Sequence, residues 1–178
     1  MKNHLYRYGS TLLVFLALFS TLNQAHADAG ETAADTEYRV ILTLSWRDDQ
    51  GQAVDKNFTL ADIERMPQTA LTLTLPKAIG IAGVHAWQGV PVSRLIALSG
   101  RKPHSLQVAA LNGYSVSVPV EDIQRFNPIL ALRRDGALIS VREKGPFLLI
   151  YPFDTFPELN QQIYLNRLVW QVNEITLQ

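Results

Sequence analysis

The side chains that could do chemistry in this 178-residue sequence are densest in its last third, at residues 145–175. Asp154 follows an apolar run (147–150) and the corner Tyr151-Pro152-Phe153. Binding groups often lie at the ends of strands, and a carboxylate there can accept two hydrogen bonds from the N–H and NH₂ groups of an amino-pyrimidine. Alternatively, Asp154 caps the turn that follows it, as aspartate readily does. The pattern predicts a site for a flat polar ligand.

Arg167 is the second candidate in this segment, between Asn166 and the apolar run LVWQV. A guanidinium group can stack on a flat heterocycle, or hold a carbonyl, phosphate or carboxylate with its rigid fork of donors. The alternative is an arginine at the edge of a strand, paired with a surface carboxylate. The sequence leaves both interpretations open.

Three further residues are candidate ligand contacts. Trp87 falls in a predicted loop and Tyr114 in a predicted turn, so both could be exposed and stack on a ring. Lys144 precedes Gly145-Pro146 and could contact a ligand or lie in solvent at a turn. Trp170, inside the last apolar run, is predicted to belong to the core.

Other kinds of site find little support in the sequence. The chain has no cysteine, which excludes thiolate chemistry and disulfides. His85 and His104 lack neighbours spaced as zinc ligands, so they are interpreted as loop histidines. A glycine-rich phosphate loop, a G-x-S-x-G elbow and an H-E-x-x-H pair are all missing. A serine triad is not excluded, but nothing favours it.

The amino terminus resembles a secretory signal. Lys2 and Arg7 precede a largely apolar stretch (10–22), and Ala25-His26-Ala27 fits a cleavage site. We expect residues 1–27 to be removed and the protein to be periplasmic; the alternative is an uncleaved membrane anchor. Residues 1–27 contain two of the 16 cationic and none of the 16 acidic side chains, so the remainder has a formal charge of −2. This balance argues against nucleic acid, and no basic run suggests attachment to lipid.

Residues 28–37 are small, polar and acidic and are expected to form a flexible lead-in to one domain at 38–178. Periodicity and turn signals predict strands at 38–46, 71–75, 106–111, 114–118, 129–134, 137–141, 147–151 and 168–175, helices at 59–66, 91–98 and 119–126, and an irregular segment at 77–88. Asn112-Gly113 and Asp135-Gly136 predict two-residue type I′ hairpin turns. The expected fold class is α+β, with short helices and a mixed, largely antiparallel, curved or barrel-like sheet.

Six short motifs occur in an order that resembles the sulfite-oxidase-like molybdopterin-binding domain. They are W-x-G-V-P-V-x-x-L (87–95), N-G-Y (112–114), P-V-E-D (119–122), R-R-D-G (133–136), K-G-P-F-L-L-I-Y-P (144–152) and R-L-V-W (167–170). The likeness extends from about Phe58 to Ile175. It implies a mixed α+β domain whose curved sheet surrounds a pterin pocket.

The chain departs from the catalytic members of that family at the metal ligand. Their molybdenum-binding cysteine comes from the segment that here reads LTLPKAIGIAG (73–83), which offers Lys77 instead. Lysine does not replace a soft thiolate ligand, so we expect neither bound molybdenum nor oxo-transfer. The chain is therefore not expected to be an enzyme.

The chain is more similar to the small, exported, cysteine-free PruR-type pterin-binding proteins. That resemblance implies a reduced pterin as ligand, and as partner a membrane-bound enzyme that makes or degrades cyclic di-GMP. It places Asp154 at the pyrimidine edge, Arg167 at the carbonyl or tail, Tyr114 and Trp87 against the ring, and Asn112 and Lys144 at the rim. Two alternatives remain: an oxidoreductase whose molybdenum is bound only by the cofactor's sulfurs, and an accessory docking subunit.

Overall fold

The computed structural model describes residues 39–178, and the predicted signal peptide and lead-in lie outside that range. The described residues form ten strands, four α-helices and three 3₁₀ turns. The strands are β1 Val40–Arg47, β2 Ala53–Thr59, β3 Thr69–Thr74, β4 Val84–Pro91, β5 Ser105–Ala110, β6 Ser115–Pro119, β7 Ile129–Arg134, β8 Ala137–Leu138, β9 Leu148–Ile150 and β10 Val172–Leu177. The helices are α1 Leu60–Glu64, α2 Val92–Ser99, α3 Val120–Phe126 and α4 Gln162–Asn166, and the 3₁₀ turns are Lys77–Ile79, Val141–Glu143 and Pro157–Asn160. None of the helices in this range is long and apolar enough to cross a bilayer.

The strands form two five-stranded sheets. The first has the order β2-β1-β10-β5-β6, in which only β1 and β10 run parallel. The second has the order β3-β4-β7-β8, and β9 also pairs with β7. The predicted α+β class and largely antiparallel pairing are confirmed. The barrel-like sheet is not observed among the described residues, because the strands divide between two sheets.

The predicted strand at 168–175 connects the two sheets. Val169 accepts a hydrogen bond from the backbone of Leu149 at 2.8 Å, and Trp170 forms a bridge with Leu148. Gln171 then adopts a left-handed conformation with φ 57°, and β10 begins at the next residue. One run of sequence therefore contributes first to the second sheet and then to the first. The buried side chains of both sheets belong to a single hydrophobic cluster.

Helix ends and turns follow local chemistry. Thr59 and Asp62 form a capping box at the start of α1, and Gly100 ends α2 with φ 66°. Asp135 and Gly136 both have positive φ, as a type I′ turn requires. In the other hairpin only Gly113 has positive φ, and the backbone N–H of Ala110 donates to the carbonyl of Tyr114. The prediction of a two-residue turn was wrong there, since three residues form the loop.

The predicted secondary structure lacked β2 entirely, and the segment predicted to be irregular at 77–88 contains the start of β4. Gly89, in this strand, allows a close approach to β7. A Cβ atom there would lie 2.1 Å from the carbonyl oxygen of Leu130. Glycine in a strand often marks such a contact.

Candidate functional site

A pocket of about 250 Å³ opens where the hairpin loop between β5 and β6 meets α4 and the connecting segment before β10. It is lined by Ala78, Ile79, Asn112, Tyr114, Gln162, Leu165, Asn166, Leu168 and Trp170. Asn112 and Tyr114 are therefore the two candidate residues that the structure places in one lining. Their neighbours in the pocket come from distant parts of the sequence.

The hydroxyl group and the backbone N–H of Tyr114 each form a hydrogen bond that fixes the residue in the pocket wall. Its hydroxyl donates to the backbone carbonyl of Asn166 at 2.7 Å, and its backbone N–H donates to Oδ1 of Asn112 at 3.0 Å. The residue remains 44% exposed, so part of the ring is open to solvent. The loop between β5 and β6 is thus fixed to the end of α4 while still offering an aromatic surface.

Amide side chains supply the polar chemistry of the pocket. Nε2 of Gln162 donates to Oδ1 of Asn166 at 2.7 Å. This bond leaves Oε1 of Gln162 as an acceptor, and Nδ2 of Asn112 and of Asn166 as donors, without partners in the part of the chain that the structure describes. The lining contains neither a carboxylate nor a cationic side chain. It can therefore recognise a neutral ligand through both donors and acceptors.

Lys144 is not part of the pocket lining, but it contacts Trp170, which is. Nζ of Lys144 lies 4.6 Å from the centroid of the Trp170 ring, a cation–π distance. The backbone carbonyl of Lys144 also accepts the N–H of Gln171 at 2.9 Å. Trp170 was predicted to belong to the core, but it is only partly buried and lines the pocket.

Arg167 points away from this pocket. Its NH1 atom donates to Oδ2 of Asp122 on α3 at 2.7 Å, and both side chains are largely buried, with exposures of 14% and 9%. The hydroxyl of Tyr151 donates to the same carboxylate oxygen at 3.2 Å. Burial, reinforced by the negative charge of Asp122, raises the pKa of Tyr151 well above its usual value of 10, so this hydroxyl stays protonated. The sequence allowed a surface carboxylate as the partner of Arg167, but the observed partner is the buried Asp122. The guanidinium group of Arg167 is therefore already paired.

The carboxylate of Asp154 forms a hydrogen bond with the neighbouring strand β3. Its Oδ2 atom accepts the backbone N–H of Thr74, the last residue of β3, at 3.0 Å. The side chain does not cap its own turn, where Thr155 instead donates to the carbonyl of Pro152. Asp154 is exposed, and Oδ1 has no partner among residues 39–178. Because β3 leads into the 3₁₀ turn that lines the pocket, Asp154 supports one pocket wall from outside.

The expectation that Trp87 is exposed was wrong. The residue lies within β4 and is completely buried, with the ring of His85 edge-on at a centroid distance of 5.9 Å. Its Nε1 atom has no hydrogen-bond partner among the residues that the structure describes. A ring enclosed in this way offers no face to a ligand, so Trp87 contributes packing. The segment 77–88 was predicted to be irregular, whereas its tryptophan fills the core close to Gly89, which lets two strands approach.

His85 was interpreted as a loop histidine, but it lies within β4, and both of its ring nitrogens have partners. Nδ1 lies 2.6 Å from Oδ2 of Asp135 and Nε2 lies 2.8 Å from the carbonyl oxygen of Ala82. Both neighbours are acceptors, an arrangement that favours the protonated imidazole, in which both ring nitrogens donate. The bond to Asp135, and after it the bond to Ala82, raises the pKa of His85 above its usual value of 6.5, against desolvation and the charge of Arg134.

Gln162 and Asn166 were missed in the sequence. Their spacing of four residues on a helix was the available signal, because residues four apart share one helix face. Ala78 and Ile79 carry no chemical signal and reach the pocket only through folding. Among residues 39–178, no group of three metal-binding side chains is present.

Comparison with other proteins adds no assignment to this geometry. No protein-family model matches the chain, and no curated protein matches it significantly.

Proposed function

We propose that this protein is a non-catalytic periplasmic module that binds a reduced pterin in the pocket formed by Asn112, Tyr114 and Trp170. It would act through contact with a membrane-bound enzyme that makes or degrades cyclic di-GMP. The observation that carries the proposal is that Asn112 and Tyr114, from the motif N-G-Y, line the same pocket as Trp170, from the motif R-L-V-W. The motif resemblance to the sulfite-oxidase-like fold is part of this proposal.

The size and polarity of the pocket suit a small bicyclic ring. Its volume of about 250 Å³ lies just below the range of about 300–1,000 Å³ that holds drug-sized ligands. The pyrimidine edge of a pterin presents N–H and NH₂ donors beside a carbonyl and a ring-nitrogen acceptor. Oε1 of Gln162 can accept from that edge, and Nδ2 of Asn112 or Asn166 can donate to it.

Aromatic contact would provide much of the affinity. Trp170 and Tyr114 offer rings at the pocket, and Lys144 already neutralises part of the indole's electron-rich face on one side. Stacking of a base on an aromatic side chain contributes about 1–3 kcal/mol. In this arrangement Asp154 and Arg167 are positioning residues, since one supports a pocket wall and the other fixes the end of α4.

Calorimetry with a dihydropterin tests the ligand. We expect a Kd of about 1 μM, equivalent to about −8 kcal/mol. Trp170→Ala should weaken binding at least about tenfold, which corresponds to the loss of about 1.4 kcal/mol of stacking. Gln162→Ala should weaken it about fivefold, since a hydrogen bond contributes about 1 kcal/mol.

Gln161→Ala is the matched control, because Gln161 is also exposed and adjoins Gln162 but does not line the pocket. Unchanged affinity in both Trp170→Ala and Gln162→Ala would remove the site assignment. Absence of binding to any pterin would reject the function. Stoichiometric molybdenum in protein isolated from its host would instead favour the oxidoreductase.

Signalling requires that the ligand changes the affinity for the partner, and the coupling is reciprocal for binding. We expect a dihydropterin to change the affinity of this protein for the periplasmic region of the enzyme. Equal affinities with and without pterin, measured by calorimetry, would contradict the signalling role while leaving ligand binding intact.

A further inference from the structure

A second, larger cleft lies at the other end of the first sheet. Its volume is about 840 Å³, and it is formed by the end of β1, the start of β2, the loop after α2 and the end of β10. β10 runs from the connecting segment at the pocket to Leu177 in the cleft. A six-residue strand spans about 20 Å, so the two openings are separated by roughly that distance.

The cleft is cationic in a protein whose total formal charge is zero. Its lining includes the cationic side chains of Arg47, Arg101 and Lys102, with Asp49 as its one carboxylate side chain. Positive charge is thus concentrated at one end of the sheet, whereas the pterin pocket has no charged lining residue. The two sites differ in the ligand chemistry that they can recognise.

Two of the cations are held in place by the turn between β1 and β2. NH1 of Arg47 donates to the carbonyl of Gly51 at 2.7 Å, and NH1 of Arg101 forms an ion pair with Asp49. Each guanidinium group has five N–H donors, so each retains donors after these contacts. Because these side chains are already fixed, less conformational entropy is lost when a ligand binds.

Lys102 is the cation with the greatest freedom to meet a ligand. It is exposed and forms no hydrogen bond or ion pair among the described residues. Trp46 lies in the same lining and supplies an apolar surface between the charged groups. Arginine and aromatic residues together are enriched at protein interfaces.

The geometry points to a docking site for an acidic segment of a partner protein in this cleft. Because the cations come from both the end of β1 and the loop after α2, they suit a chain with several carboxylates better than one small anion. The identity of the partner rests on the proposed function: if the protein binds a pterin as proposed, the acidic segment belongs to the signalling enzyme. The docking site itself does not depend on that function. Binding would then occur at one end of β10 and ligand recognition at the other.

Fluorescence anisotropy with a labelled ten-residue peptide of glutamate, serine and one tyrosine tests the site directly. A peptide with glutamine in place of glutamate is the control ligand. We expect the acidic peptide to bind and the neutral peptide to bind at least tenfold more weakly. Raising the salt from about 50 to 300 mM should weaken acidic-peptide binding several-fold, because exposed charges are screened.

Lys102→Glu should weaken binding of the acidic peptide at least fivefold. Lys56→Glu makes the same charge change at an exposed lysine on β2 outside the cleft, and should change affinity less than twofold. Neither variant should alter dihydropterin affinity, so failure here is distinct from failure of the pterin proposal. Equal binding of both peptides, or equal loss in both variants, would overturn the inference.

Two further measurements distinguish a partner protein from other anionic ligands. Inorganic phosphate should not compete with the peptide at millimolar concentration, and vesicles of phosphatidylglycerol should not bind in a Lys102-dependent way. Lys102-dependent binding to phosphate or vesicles without binding to the peptide would also overturn it.

Discussion

At the scale of single residues, burial decides which polar groups are available to a ligand. Arg167 and Asp154 carried the strongest sequence signal, yet Arg167 is paired with a buried carboxylate while Asp154 remains exposed. A carboxylate such as Asp122, shielded from water, needs partners that satisfy its charge. Arg167 and Tyr151 provide them and thereby attach the end of α4 to α3.

Removing Arg167 should therefore destabilise the protein even without ligand. We expect Arg167→Met to lower the free energy of unfolding by about 3 kcal/mol, because Asp122 would remain buried without its main partner. Adding Asp122→Asn to that variant should restore part of the loss. Urea denaturation followed by circular dichroism measures both effects.

Arg125→Met is the control for that measurement, since Arg125 forms a more exposed pair with Glu158 at 2.7 Å. Its cost should stay below about 1 kcal/mol. If Arg167→Met unfolds at the native midpoint but loses pterin affinity, Arg167 is a ligand contact and the positioning role is wrong.

The contact between His85 and Asp135 should make stability depend on pH. The raised pKa of His85 means that its contribution is complete below the usual value of 6.5 and is lost as pH rises through the folded value. The pKa of Asp135 is lowered below 3.8, mainly by the N–H of Ala86 and then by His85, so its contribution is lost only in acid. Arg134 opposes the charge on His85 and limits the effect.

We therefore expect the melting temperature of the native protein to exceed that of His85→Gln by more at pH 6 than at pH 8.5. Thermal melts at both values measure the difference. His104→Gln removes a histidine outside this contact and serves as control. A gap between native and His85→Gln that is the same at both pH values would show that protonation of His85 does not stabilise the fold.

At the scale of elements, strand β4 shows how a glycine lets two strands approach closely. Gly89 pairs with Ala131 beside an irregularity in the register between β4 and β7. A Cβ atom there would also lie 2.5 Å from the Cα of Ala131, in addition to its clash with Leu130. The strands can approach this closely only because residue 89 has no side chain.

Gly89→Ala should lower the free energy of unfolding by about 2–3 kcal/mol, because forced overpacking displaces the backbone. The neighbouring Gln88→Ala, at an exposed position, should change it by less than about 0.5 kcal/mol. Chemical denaturation distinguishes the two. Similar small effects in both variants would mean that β4 and β7 separate at little cost.

Elements with strong local signals were predictable, and those that depend on tertiary contact were not. The capping residues of α1, the glycine after α2 and the Asp135-Gly136 turn follow local chemistry. The break at Gln171 does not, since it exists because one segment serves two sheets. The pocket could be predicted only through Asn112 and Tyr114, because Gln162 and Asn166 reach it through the packing of α4.

At the scale of the whole described domain, the two sheets share one core and one connecting segment. The backbone carbonyl of Phe147 accepts a hydrogen bond from the N–H of Val172 at 3.1 Å. This bond lies where the chain leaves the neighbourhood of β9 and enters β10. Buried residues such as Leu44 of the first sheet and Trp87 of the second belong to the same cluster. Since neither sheet has a separate core, they should unfold together.

The three tryptophans allow that expectation to be measured, because each reports a different part of the domain. Trp46 lies in β1, Trp87 in β4 and Trp170 in the connecting segment. Variants that retain one tryptophan, with phenylalanine at the other two positions, should each show a fluorescence midpoint in urea equal to the circular dichroism midpoint of the same variant. Comparison within one variant removes the cost of the substitutions themselves. A Trp46 transition separated from the circular dichroism transition of its own variant would mean that the first sheet unfolds independently. The pocket at Tyr114 and the cationic cleft could then not be coupled through β10.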